Sequence, residues 1–175
     1  ELVVDMVIGA TGRIPNVEGL NLEKAGVSYD KRGIKVDEHL RTTQQNIFAC
    51  GDVIAKKQPK LTPVAGFEAG YVVNAMNGDT EAIDYPLIPT IVFGDQRLAR
   101  IGLSERELDD HPEKYHSETT DLSSWYTYHR INDQGAKIKI VYDEDDKIVA
   151  ITCLSQLADE VINYLLIILT KKMSH

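Results

Sequence analysis

Asn46-Ile47-Phe48-Ala49-Cys50-Gly51-Asp52-Val53, a short polar linker, then Leu61-Thr62-Pro63-Val64-Ala65-Gly66-Phe67-Glu68-Ala69: these two pieces decide how the chain is read. The first is an apolar run that stops abruptly at Gly-Asp. Ile47, Phe48 and Ala49 suit a buried strand, and Gly51 permits a sharp turn at its end. Asp52 then stands at the C-terminal edge of that strand, where open α/β sheets place their ligands. The second piece is a helix start. Thr62 suits the N-cap and Pro63 the first helical position, where a missing N–H is harmless. The free backbone donors of such a helix end attract electron-rich oxygen or nitrogen atoms. A carboxylate and a helix N-terminus with a short spacer suit the two ends of one elongated, polyhydroxylated ligand.

Upstream, Glu1 to Ile8 is a mostly apolar run ending at Gly9, the pattern of a buried parallel strand. Leu22 to Gly26 suits a helical turn stopped by Gly26, and Ile34-Lys35-Val36 alternates as a short strand does. Arg41 and Thr42 read as solvated turn residues or as ligand contacts. Lys56-Lys57-Gln58-Pro59-Lys60 is a polar loop, expected in solvent. Pro63 to Met76 reads as a helix closed by Asn77-Gly78. Composition then turns polar up to Tyr85-Pro86. This places a boundary near Thr80 to Asp84 and divides the chain into residues 1–80 and 81–175.

Beyond the boundary, Ile88 to Phe93 and Leu98 to Leu103 read as strands around a Gly94-Asp95 turn. Ser104-Glu105-Arg106-Glu107 is a capping box opening a helix that ends before Pro112. Tyr115 to Arg130 reads as extended. Ala136 to Tyr142 and Lys147 to Leu154 flank the acidic turn Asp143 to Asp146 as an antiparallel hairpin. The last helix, Gln156 to Met173, is apolar almost all round from Val161 to Leu169, so one sheet cannot cover it. A second copy of the chain is the simplest cover, which predicts a homodimer built after Thr80.

Several of these pieces together resemble a known family. Thr42-Thr43 followed by Asn46 to Asp52 is similar to the second FAD fingerprint of the pyridine nucleotide–disulfide oxidoreductases. Ala10-Thr11-Gly12-Arg13-Ile14-Pro15-Asn16 resembles their return from the NAD(P)H domain. Leu61-Thr62-Pro63-Val64-Ala65 resembles the helix that faces the flavin pyrimidine ring. Thr90 to Glu105, and Leu154-Ser155 to Asn163, resemble parts of the dimerisation domain. The resemblance implies an α+β fold: a C-terminal antiparallel sheet with helices, preceded by a partial α/β FAD-domain segment. It implies a parent enzyme moving a hydride from NAD(P)H to FAD, with NADP among the expected attributes, and electrons on to a small-molecule disulfide. It implies Gly51, Asp52, Leu61, Thr62 and Ala65 as cofactor-binding residues, with Asp52 on the ribityl hydroxyls. The Thr62 end of the helix would favour the negatively charged reduced flavin.

The family's Gly-x-Gly-x-x-Gly, its cysteine pair separated by four residues and its acid/base histidine are missing from this sequence. His175 is not in the family's His-Pro-Thr context and receives no such role. No catalytic residue is therefore assigned, and the chain alone is expected to be inactive. Two other readings stay open. One is a stand-alone, non-enzymatic dimerisation module. The other is part of a dihydrolipoamide dehydrogenase, mercuric reductase or NADH oxidase.

Composition narrows the classes further. Of 175 residues, 43% are hydrophobic and 26% charged, as in a globular protein, and the net charge of -8 argues against a nucleic-acid surface. The apolar run Tyr164 to Leu169 is too short to span a membrane. No basic, signal-like region opens the sequence, and two cysteines make no disulfide scaffold, so the expected location is cytoplasmic. The five histidines show no metal-ligand spacing, and no metal site is expected.

Overall fold

Two units divide the chain, Glu1–Asp84 and Tyr85–His175, in a computed structural model that describes residues 2–78 and 80–171. The expected helix end at Met173, and His175, lie outside the described residues.

The second unit is α+β. Its five-stranded sheet has the order β3-β4-β7-β6-β5, with every neighbour antiparallel. The strands are β3 (Thr90–Val92), β4 (Arg97–Gly102), β5 (His116–Asp121), β6 (Lys137–Tyr142) and β7 (Ile148–Ser155). The central hairpin follows from alternation in the sequence. Ile138 and Ile140 pair with Cys153 and Ile151, and Ala99 pairs with Cys153 on the other side. These residues put one apolar face under the helix α4 (Ala158–Thr170). Ala99, Ile101, Ile151, Cys153, Ala158, Ile162 and Leu169 form the buried cluster between them. The opposite face carries Val141 and Ala150 against Leu108 of the short helix α2 (Glu105–Asp109). The capping box of that helix is formed: the Glu107 N–H donates to Ser104 Oγ, and the Ser104 N–H donates to the Glu107 carboxylate.

One buried carboxylate closes the end of the sheet. Asp133 accepts from Gln96 Nε2, Ser155 Oγ and the Gln156 N–H at 2.6, 2.6 and 2.7 Å. Burial pushes its carboxyl up, but the three hydrogen bonds outweigh that and hold it below the usual carboxylate range.

Two expectations fail here. Tyr126–Arg130 is a short helix, α3, rather than extended chain. Its Tyr128 turns inward onto Leu122 and Ala136, and a helical turn brings that ring to the core while its neighbours face water. Helix α4 is also less uniformly apolar than its sequence. The sheet covers Ile162 and Leu169 and half-covers Val161, Leu165 and Leu166, and Ile168 is half-buried as well. The outward row is mixed, with Asn163 and Thr170 beside Tyr164 and Ile167. Both polar side chains bond back to their own helix, Asn163 to the Asp159 carbonyl and Thr170 to the Leu166 carbonyl.

The first unit has little regular structure beyond one helix. β1 (Tyr29–Asp30) and β2 (Gly33–Ile34) make a two-stranded hairpin, and α1 (Thr62–Met76) is the long element. Leu22 to Gly26 forms the expected turn, with Gly26 at φ +68°. The expected strand at the start of the chain is not formed. Residues 2–8 pair with nothing in a sheet, and Leu2, Val3, Met6, Val7 and Ile8 are each more than three-quarters exposed. An apolar run becomes a parallel strand only where neighbouring strands and covering helices exist. Among the described residues of this unit, neither β1 nor β2 pairs with this run, and its side chains stay exposed.

Candidate functional site

The Gly-Asp turn is held by its flanks. Phe48 makes a single antiparallel bridge to Arg41, and the Arg41 guanidinium lies over the Phe48 ring, 5.3 Å from its centre. Thr42 is not a solvated turn residue. It is buried, its N–H donates to the Ile47 carbonyl, and its hydroxyl both donates to the Gln44 carbonyl and accepts from the Gln44 N–H. Ile47 to Ala49 therefore form a bridged, half-buried reversal instead of the expected buried strand.

After it, Gly51–Val53 make one 3₁₀ turn. Gly51 sits at φ +81°, a region that penalises side chains. On the other side, Ile54 bridges Ile34 in parallel and the Ala55 N–H donates to the Ile34 carbonyl. That approach depends on Gly33: a Cβ built there would lie 2.2 Å from the Val53 carbonyl oxygen.

Asp52 is presented outward, with its side chain 49% exposed and its carboxylate 3.5 Å from an Arg13 guanidinium nitrogen. Arg13 also donates to the Lys60 carbonyl. The turn touches the first turn of α1, since a Cβ on Gly51 would lie 3.4 Å from the Ala65 Cβ. The helix begins one residue earlier than expected. Leu61 is the cap, extended at φ -130° and ψ 146°, and its carbonyl accepts the Ala65 N–H at 3.0 Å. Thr62 is thus the first helical residue, Pro63 the second, and no side chain caps the end. The amides of Thr62 and Val64 have no acceptor within the helix, and Pro63 has none to offer. Gly51, Leu61 and Ala65 are therefore brought together, while Asp52 and Thr62 stand exposed beside them.

Sequence reasoning missed what lies beneath the turn. The Glu68 side chain is fully buried, and its carboxylate accepts the Gly51 N–H at 2.6 Å and the Lys56 ammonium at 2.6 Å. The Lys56 side chain is 4% exposed, so the polar loop expected in solvent sends its first lysine inward. The available signal was Glu68 itself, a lone carboxylate six residues into an otherwise uncharged helix start.

Cys50 and Cys153 are free thiols. Burial, then the Asp133 charge, pushes Cys153 up to about 11. Burial, reinforced by Glu68 and opposed by Lys56, raises Cys50. A thiol so shifted is a poor nucleophile at neutral pH. Among the described residues, no group of three or more His, Cys, Asp or Glu side chains could hold a metal ion, and no helix is long and apolar enough to cross a membrane.

The site suits half of an FAD molecule. An exposed carboxylate at a turn accepts hydrogen bonds from ribityl hydroxyls, and unpaired first-turn amides face a ring carbonyl. The buried glycine lets the backbone come close.

Comparison with known proteins shows the family of the chain. Residues 1–69 match the family model for pyridine nucleotide-disulphide oxidoreductase, and residues 88–175 match that for its dimerisation domain. A protein of Staphylococcus aureus described as an uncharacterized 19.7 kDa protein in mercuric resistance operon is 36% identical, over 83% of this chain and 82% of that one. Dihydrolipoyl dehydrogenase of Geobacillus stearothermophilus is 38% identical over 61% of this chain, and mercuric reductase of S. aureus 40% identical over 59%. The chain spans only about a fifth of these two enzymes, 22% and 19%. In fold, it is similar to the flavoprotein disulfide reductase RclA of Escherichia coli, with a TM-score of 0.80 at 22% identity over 94% of this chain and 38% of that one. It is also similar to LpdA of Mycobacterium tuberculosis, with a TM-score of 0.75 at 19% identity over 92% of this chain and 35% of that one. With its second unit matched by the dimerisation-domain model and a relative of similar size matched over most of its length, this chain belongs to the pyridine nucleotide-disulphide oxidoreductase family.

Proposed function

We propose that this chain supplies the ribityl and pyrimidine side of an FAD site, together with a homodimer interface. The enzyme so served is an FAD-dependent NAD(P)H:disulfide oxidoreductase. The observation that carries the reading is the Gly51-Asp52 turn packed on the start of α1, with the Asp52 carboxylate half-exposed beside the Arg13 guanidinium. Asp52 accepts the ribityl hydroxyls. Thr62, Leu61 and Ala65 form the helix end toward the pyrimidine ring, and Gly51 allows the approach. FAD, when bound, supplies the acceptor for a hydride from NAD(P)H, and a small-molecule disulfide is the final acceptor. We place residues 1–80 in the nucleotide-binding part and 81–175 in the dimerisation part. The free, unpaired thiols support a cytoplasmic setting.

Two results follow. The 175-residue chain should purify colourless and oxidise neither NADH nor NADPH with a disulfide present, because the adenosine and pyrophosphate contacts are not among its residues. A stoichiometric flavin band in the visible spectrum would reject this. In a full-length polypeptide carrying these residues, Asp52→Ala should lower flavin retention roughly ten- to a hundredfold, the range for a lost charge-assisted hydrogen bond. Unchanged flavin content after gel filtration would reject the role of Asp52.

A further inference from the structure

The buried Lys56–Glu68 pair has no place in the flavin reading, since neither side chain reaches the open face of the turn. Lys56 lies twelve residues before Glu68, in a loop with no regular structure. Burying two charges is unfavourable unless geometry and further hydrogen bonds compensate. Here one carboxylate oxygen takes the ammonium and the other takes the Gly51 N–H. That N–H belongs to the first residue of the turn that presents Asp52. α1 is the rigid element, so the carboxylate is a fixed point and the turn hangs from it. Gly33 and Ala65 approach the same turn from two other sides.

We propose that Glu68 is a positioning residue for Asp52. Lys56 fixes the Glu68 carboxylate, the carboxylate pins the Gly51 N–H, and the pinned turn holds the Asp52 side chain at one place over the helix end. A flexible glycine at φ +81° needs such a pin, because glycine alone adopts many backbone conformations. The proposal gives a function to the Asp52 reading and rests on it. The pin itself is tested without flavin, so the two can fail separately.

The test is amide hydrogen exchange and backbone NMR of the whole chain. Glu68→Leu with Lys56→Met replaces the pair by apolar side chains and removes the acceptor. Glu68→Gln with Lys56→Met keeps an acceptor for Gly51 and removes the charges. In the first double variant the Gly51 amide should move upfield and exchange about ten- to a hundredfold faster. The Asp52 amide coupling should drift from its 3₁₀ value, while the amides of α1 keep their protection. In the second, a neutral acceptor without its ammonium should hold Gly51 less well than the wild type but better than the first variant, so its exchange should fall between the two. A purely structural pair would instead change the protection of α1 and leave Gly51 no different from its neighbours. Glu68→Asp, which keeps the charge but draws the carboxylate back by one methylene, should also free Gly51 and covers the case in which the apolar variant does not fold. Gly51 exchange within about twofold of wild type in a folded Glu68→Leu/Lys56→Met or Glu68→Asp chain overturns the proposal. So does equal loss of protection in both double variants.

Discussion

Lys56→Met should destabilise the first unit by roughly 3–5 kcal/mol, the cost of removing one partner of a buried ion pair. The Glu68 side chain has no exposure and sits on α1, so its carboxylate cannot follow the lost ammonium to water. The Gly51 N–H remains as an acceptor's partner but does not neutralise the charge. Glu68→Leu should cost less, roughly 1–3 kcal/mol, because a lysine stem in a loop can swing its ammonium back to solvent. Combining Glu68→Leu with Lys56→Met should recover much of the loss, since an apolar pair of similar volume is often tolerated there. Hydrogen exchange in α1 reads the effect where it occurs. The second unit, with its own cluster around Ile151 and Ile162, serves as the internal control. A Lys56→Met change below about 1 kcal/mol would mean that the pair is solvated, as an exposed ion pair is.

Ile167→Asp has the second large expected effect, on assembly. Tyr164 and Ile167 stand on the outward row of α4, 69% and 58% exposed. Their polar neighbours Asn163 and Thr170 are turned onto the helix backbone, which leaves the two apolar side chains prominent. Each large side chain removed from water contributes roughly 1.5–3 kcal/mol, and a twofold axis counts each one twice. That sum is comparable to the cost of association. A buried aspartate on each copy should then weaken the dimer by at least about a hundredfold. Ile168 is already half-buried, so the more exposed Ile167 is the cleaner probe.

What the sequence made legible was local. Alternation in Lys137 to Leu154 specified the hairpin, and Ser104 with Glu107 specified a helix start, because both signals act over a few residues. The Gly-Asp turn and the α1 start were legible for the same reason, with an error of one residue at Thr62. The failures are all non-local. The run Leu2 to Ile8 carries the composition of a buried strand, but burial needs partners that composition does not name. Lys56 sits among Lys57, Gln58 and Lys60, so its surroundings in sequence point to water. Its burial is decided by a carboxylate on another element. Tyr128 was read as part of the extended segment Tyr115 to Arg130. Its burial against Leu122 and Ala136 selects the helix α3 instead. Apolar spacing in α4 suggested a helix without a polar side, and only the three-dimensional face separates Ile167 from Ile168.

The most direct test of the account is the mass of the chain in solution, measured by light scattering on a size-exclusion column at micromolar concentration. The wild type should run at twice the mass of one chain. Ile167→Asp, with its circular dichroism unchanged, should run at the mass of one. A monomeric wild type, or an intact dimer of the folded Ile167→Asp variant, would contradict the assignment of α4 as the interface.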